Sequence, residues 1–259
     1  METVKKNTRT AVELLKQIKR KYIGYGGSMA GFEHKGERPA SNMDGSIFED
    51  LFWSQSERPT IKWHHYFSIY DRYFGPFRGK PIKFLEIGVA NGGSLDIWRN
   101  YFGEDATIFG IDINPECTKF DGISGRVRIG SQADAEFISD VIDEMGGVDL
   151  ILDDGSHNSH HIRASFQTLF PLVSEGGVYM IEDLHAAYWS NFSGGYRKKS
   201  SFIEDVKTMI DDMHHWYHVH GVKKKEVKDL FSGIHLHDSV AIFDRGLAKK
   251  PAYSWSNRN

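Results

Sequence analysis

From Ile82 to Glu182 the chain alternates short, nearly unbroken apolar runs with stretches whose apolar residues recur at helical spacing. That alternation is the pattern of a parallel sheet covered on both faces. It predicts strands at Ile82–Gly88, Thr107–Asp112, Arg126–Gly130, Val148–Asp153 and Gly177–Glu182, and helices near Gly93–Phe102, Ala133–Met145 and His160–Leu172. Two further runs, Asp229–Leu236 and Ser239–Asp244, are close enough to form an antiparallel pair across a tight turn. Upstream, Val12, Leu14, Leu15, Ile18 and Tyr22 predict an amphipathic helix over Ala11–Tyr22, suited to packing or oligomerisation. A second opens at Lys62-Trp-His-His-Tyr-Phe67 and runs to about Phe77, its aromatics reading as core. Between them Gly24–Ser46 has no period and predicts a long loop that could order as a lid.

The first strand breaks into Glu86-Ile-Gly88-Val-Ala-Asn-Gly92-Gly93-Ser94 before the next helix begins. Glycines there let a ligand approach the backbone, and the helix start offers N–H groups to something anionic. A bland strand-to-helix turn uses glycine as well, so the loop alone leaves a nucleotide-type cofactor open. Asp112, ending the second strand, suits the paired hydroxyls of a ribose. No lysine follows the glycines, which excludes a P-loop, and the middle glycine of a dinucleotide fingerprint is missing.

Composition narrows the partners. With 32 basic and 35 acidic residues the net charge is −3, which gives a nucleic-acid partner no support and points to a small-molecule acceptor. Cys117 is the single cysteine, so no intramolecular disulfide forms and a reducing, cytoplasmic setting is expected. No secretory signal or membrane-length apolar run is visible, and no membrane partner is expected.

The chemistry gathers at strand ends, where open parallel sheets bind ligands. The fourth strand ends Leu152-Asp153-Asp154-Gly-Ser-His157 and the fifth Ile181-Glu182-Asp183. If these strands are neighbours, Asp154, Glu182 and Asp183 converge, and their repulsion calls for a cation because neither motif contains a lysine or arginine. Oxygen ligands favour Mg²⁺, with Mn²⁺ or Ca²⁺ satisfying the same preference. Each acid taken singly also reads as a helix cap or a solvated charge. His157, three residues after Asp154, is a candidate general base; as a lone histidine it also reads as structural. His160 and His161 read as capping or packing residues, and His214, His215, His218 and His220 as a helix face. The aromatics and glycines of Leu184–Tyr196 suit a lid over a sugar, or an ordinary surface loop.

Glu86-x-Gly88, Gly92-Gly93-Ser94 and Gly110-x-Asp112 resemble the class I S-adenosylmethionine-dependent methyltransferases over about the middle half of the chain. The Asp-Asp-Gly-Ser-His and Glu-Asp motifs resemble more narrowly the metal-dependent macrolide sugar O-methyltransferases of mycinamicin and macrocin type, and the cephalosporin-hydroxylase-like group. The resemblance implies an α/β Rossmann-like, doubly wound sheet, mostly parallel with a reversed last strand. Residues 1–80 would form an N-terminal helical extension and lid, and 81–259 the S-adenosylmethionine-binding domain. It implies Asp154, Glu182 and Asp183 as Mg²⁺ ligands, with Asp154 and His157 catalytic and His157 the base. On the donor side, Glu86, Gly88 and Ser94 would line the amino-acid half, Asp112 the ribose, and Ser131 and Gln132 the adenine, with Asp153 also cofactor-binding. The expected activity is methyl transfer from S-adenosylmethionine to a sugar hydroxyl on a glycosylated natural product, polysaccharide sugar or uronic acid. Two rivals stay open: an NAD-dependent oxidoreductase, and a non-catalytic cofactor-binding module acting within a homo-oligomer.

Overall fold

The computed structural model describes residues 32–34, 38–39, 45–55, 57–219, 230–247 and 249–256. The predicted Ala11–Tyr22 helix, most of the Gly24–Ser46 segment and His220 lie outside them. Seven strands form one sheet: β1 Lys83–Ile87, β2 Thr107–Asp112, β3 Arg126–Ile129, β4 Val148–Asp153, β5 Val173–Ile181, β6 Phe231–His237 and β7 Val240–Arg245. Their order is β3-β2-β1-β4-β5-β7-β6. The first five run parallel, and β7 is antiparallel to both β5 and β6. The chain winds outward from β1 in one direction and then from β4 in the other. The gap between their carboxyl ends is therefore the switch point where such sheets take ligands.

Alternation along the strands divides the interior. Phe84, Leu150, Leu152, Met180 and Ile242 point to one face and Leu85, Ile87, Ile151, Tyr179 and Ile181 to the other, all buried. The first face is covered by helices α1 Ile47–Ser54, α2 Phe67–Tyr73 and α3 Gly93–Phe102. The second is covered by α4 Ala135–Met145, α5 Ser159–Leu169 and α6 Phe202–Met213. Asp134 caps α4 and Asn158 caps α5 through bonds to their first-turn N–H groups, and His160 and His161, expected to cap or pack, lie in the first turn of α5.

Two expectations shift. β5 begins at Val173 rather than Gly177, because its exposed first half, with Gly176 at φ +85°, rejoins β4 through an irregular register between Val148 and Leu150. The helix expected over 62–77 is a short 3-10 turn at His64–Tyr66, then α2, then another 3-10 turn at Gly75–Phe77 that contains Pro76. Compact units divide as Met1–Asn42 and Met43–Asn259, so the described segment that precedes the sheet from Gly45 on belongs with it. The reason is packing. Phe48, Tyr70 and Phe74 lie 4.8, 5.3 and 5.7 Å from Trp98, ring centre to ring centre, and Phe84 of β1 lies 5.0 Å from it. Asp71 accepts bonds from Ser46 and Phe48 N–H at the start of α1 and from Tyr101 on α3, which ties the three helices together. Among the described residues no helix is long and apolar enough to cross a membrane.

Phe84 is fully buried where these aromatics meet, so Phe84→Ala should destabilise the fold by about 3–5 kcal/mol. Urea denaturation with an unchanged slope and a lowered midpoint would show it; a midpoint equal to that of the wild type would place Phe84 outside the core that joins α1 and α2 to the sheet.

Candidate active site

The glycine loop is shaped by what it must avoid. Gly88 has φ +99°, and a Cβ there would stand 2.2 Å from the Asp154 carbonyl oxygen, so only glycine lets the ends of β1 and β4 close together. A Cβ on Gly93 would stand 2.4 Å from the Arg58 carbonyl. Asp112 accepts bonds from the Val89 and Ala90 N–H groups at 3.0 and 2.9 Å and from Asn114 N–H at 2.8 Å. It therefore fixes the loop as well as sitting at the predicted ribose position.

Glu86 is fully buried, accepting from Ser94 Oγ at 2.8 Å and Trp98 Nε1 at 3.0 Å. Burial pushes its carboxyl up to about 7, with Lys62 opposing the rise. Asp153 is buried as well and accepts from Gln132, Ser165 and Tyr179 at 3.0, 2.7 and 3.0 Å. Gln132 in turn accepts from Ser156 N–H at 2.7 Å, and Ser131 Oγ accepts from Ala133 N–H at 3.2 Å. Asp153 and Gln132, expected on the cofactor side, thus bond to each other. Their polar atoms are spent on one another and on the 154–157 turn, which they hold in place beneath the site.

That turn and the end of β5 form the acidic centre. His157 has φ +55° and Asp183 φ +54°, left-handed conformations that non-glycine residues seldom adopt and that tend to occur at functional sites. His157 Nε2 lies 3.7 Å from Asp183 Oδ2. Asp154, His157 and Asp183 each present a ligand atom within 4.8 Å of the others, the one such group among the described residues. The two carboxylates are hard oxygen donors on a partly open edge and fit a divalent cation, with the imidazole close by to accept a proton.

Glu182 stands apart from that group. It is turned inward and accepts from Lys62 Nζ at 2.8 Å and from the Tyr70 hydroxyl. Lys62 Nζ also donates to Asp154 Oδ2 at 2.6 Å. Both motifs lack a basic residue, but the acids are not unbalanced: the compensating charge arrives from Lys62, far away in sequence. Its neighbours contribute too, since Trp63 Nε1 and Tyr66 OH donate to Asp183 Oδ1 at 3.1 and 2.8 Å. Burial opposes the charge on Lys62, yet Asp154 and Glu182 outweigh it and hold the ammonium above its ordinary range. Burial drives Glu182 up to about 8 against the pull of Lys62, and burial together with Glu182 keeps the Tyr70 hydroxyl a neutral donor. Sequence reading placed these aromatics in the core, where their rings do lie. The missed signal was that Lys62, Tyr66 and Tyr70, spaced four apart, all carry polar tips on one side of an apolar segment.

Rings extend outward from this centre. Trp63, His185, Trp189 and Phe192 follow one another at 5.5, 5.0 and 5.9 Å, and Phe192 lies 6.4 Å from His157. Burial lowers His185 against the influence of Asp183, and its Nδ1 pairs with Ser239 Oγ at 2.6 Å. The segment is stapled from behind: Gly194 N–H donates to Trp189 O, and Ser201 Oγ donates to Ala187 O at 2.7 Å. His214 and His215 bond backbone carbonyls through Nδ1, consistent with a packing face.

Residues 85–184 match the sequence model of a family described as a methyltransferase domain. These residues therefore carry a methyltransferase domain. It is 33% identical over 221 residues to a rhamnosyl tetracenomycin-C 2'-O-methyltransferase of Streptomyces olivaceus, covering 81% of this chain and 58% of the relative. It is 33% identical over 201 residues to the mycinamicin VI 2''-O-methyltransferase of Micromonospora griseorubida, covering 73% and 50%. The fold matches the MycE methyltransferase of the mycinamycin pathway, solved with Mg, SAH and mycinamycin VI. That match has a TM-score of 0.70 and 30% identity, over 83% of this chain and 56% of that one. The chain thus spans about half the length of the curated relatives it matches.

The buried Glu86 gives this methyltransferase domain a pH-dependent stability. An unfolded chain releases the Glu86 proton near 4.5 and the folded one near 7, so between those values the folded state binds more protons and stability falls as pH rises. Glu86→Gln keeps a neutral side chain of the same shape. Relative to that variant the wild type should lose about 3 kcal/mol between pH 4.5 and 7.5 in urea titrations. A pH-independent difference would mean that Glu86 is ionised in the folded protein throughout.

Proposed function

We propose that the protein transfers a methyl group from S-adenosylmethionine to a hydroxyl of a sugar, with Mg²⁺ bound at the acidic centre. The observation that carries this reading is the convergence of Asp154, His157 and Asp183 at the carboxyl ends of β4 and β5, beside the glycine loop that follows β1. The relatives named above support it through the reactions in their names.

On this reading Gly88 and the backbone of the 88–93 loop take the amino-acid half of the donor, Asp112 the ribose, and Ser131 the adenine end. Ser94 and Glu86 support the loop from beneath, as Gln132 and Asp153 support the 154–157 turn. Asp154 and Asp183 would hold the cation, and Glu182, the third expected ligand, would join them only by giving up its bond to Lys62. When bound, the cation would orient an acceptor hydroxyl and lower its pKa. His157 then takes the hydroxyl proton as the oxygen attacks the methyl carbon, the sulfur–methyl bond breaks, and the sulfonium leaves as a neutral thioether. No protein nucleophile is required, because alignment of oxygen, carbon and sulfur supplies much of the rate. The ring series Trp63–His185–Trp189–Phe192 offers apolar faces to the C–H side of a sugar, as glycan acceptors require.

Mass spectrometry with a deuterated methyl donor, Mg²⁺ and a panel of rhamnosylated polyketides, macrolide glycosides and uronic acids tests the reading. One acceptor class should gain a labelled methyl. Chelation should abolish turnover and Mg²⁺ restore it. His157→Gln should lose about 10²–10⁴ in rate while donor affinity is kept. Full activity in folded His157→Gln would remove His157 as base, and unchanged turnover in chelator would remove the cation.

A further inference from the structure

We propose that Lys62 is a built-in counter-ion that competes with the divalent cation for Asp154 and Glu182, holding the acids together when the ion is absent and weakening its binding when present. The inference rests on the assignment of the cation to the acidic centre. Lys62 is poorly placed for any other task. Its side chain is only 2% exposed, it donates to Asp154 Oδ2 and Glu182 Oε2, and it lies 5.9 Å from the centre of the Tyr70 ring. An ammonium enclosed in this way cannot withdraw into water when another cation arrives.

The charges are matched to that role. Lys62 places one fixed positive charge between Asp154 and Glu182, so the acids are partly balanced before a divalent ion arrives. Without Lys62 the three acids would face one another in a poorly screened pocket and would protonate or move apart. With it, the pocket is compact before the ion binds. The cost falls on affinity, since an arriving ion meets a fixed positive charge and an Asp154 oxygen already in a hydrogen bond. Glu182, tied to both Lys62 and Tyr70, is the acid whose release would oppose ion binding most.

Isothermal titration of chelator-treated protein with Mg²⁺ alone tests this directly. Lys62→Met should bind Mg²⁺ about tenfold more tightly than the wild type, while melting at a lower temperature when metal-free and gaining more from added Mg²⁺. Lys62→Met leaves a buried acid without its partner and can fail to fold. The double variant Lys62→Met/Glu182→Gln, which leaves Glu182 no charge, is therefore compared with Glu182→Gln alone, and the double variant should again bind more tightly. A lysine that served only as a structural ion pair would lower the melting temperature without tightening the ion. Equal or weaker Mg²⁺ binding in the lysine-free proteins, with the wild type still binding, overturns the counter-ion role and leaves the cation site intact. Absence of Mg²⁺ binding in every protein, wild type included, overturns both.

Discussion

The carboxylates gathered at the carboxyl ends of β1, β4 and β5 are the constraint around which the rest of the structure is arranged. Glu86, Asp153 and Glu182 are buried and Asp154 and Asp183 only partly open. Such a concentration of acid in a poorly screened pocket is unfavourable unless each oxygen meets a donor or a positive charge. Donors come from both faces of the sheet. Trp98 and Ser94 on α3 serve Glu86; Ser165 on α5, with Gln132 and Tyr179, serves Asp153. Lys62, Trp63, Tyr66 and Tyr70 serve the outer three. The segment from Lys62 to Tyr70, which precedes the sheet, thus meets the same carboxylates.

The acids fall into an enclosed pair and a more open group. Asp153 and Glu86 are enclosed by neutral donors and fix the two loops that flank the switch point. Asp154, His157 and Asp183 keep ligand atoms turned toward one another. His157 and Asp183 do so in left-handed backbone conformations, a local strain that the surrounding hydrogen bonds sustain. Gly88 completes the arrangement by letting the turn after β4 sit against the loop after β1.

Much of this was legible in the sequence, for a physical reason. Strands buried on both faces write continuous apolar runs, and β2 and β4 fall on the residues expected of them, as does α3. The paired motifs at the ends of β4 and β5 follow from the rule that places ligands at strand ends. What stayed hidden depends on contacts between distant segments. Nothing local to Lys62 says that its ammonium meets residues 92 and 120 positions away. Nor does the doublet Asp153-Asp154 reveal which acid is buried; the pleat turns one inward and the end of the strand releases the other. β5 was read short because Ser174-Glu-Gly-Gly has neither alternation nor apolar character, although its backbone continues the ladder.

The central claim is that Asp154 and Asp183 hold a divalent ion next to a methyl donor on the glycine loop. The direct measurement is anomalous diffraction from crystals grown with Mn²⁺ and S-adenosylhomocysteine. A manganese peak about 2.1 Å from oxygens of both Asp154 and Asp183, with the ligand's sulfur facing the same cavity as His157 and its ribose beside Asp112, is the predicted result. A metal peak absent from these carboxylates, or a donor product bound away from the loop after β1, would contradict the account.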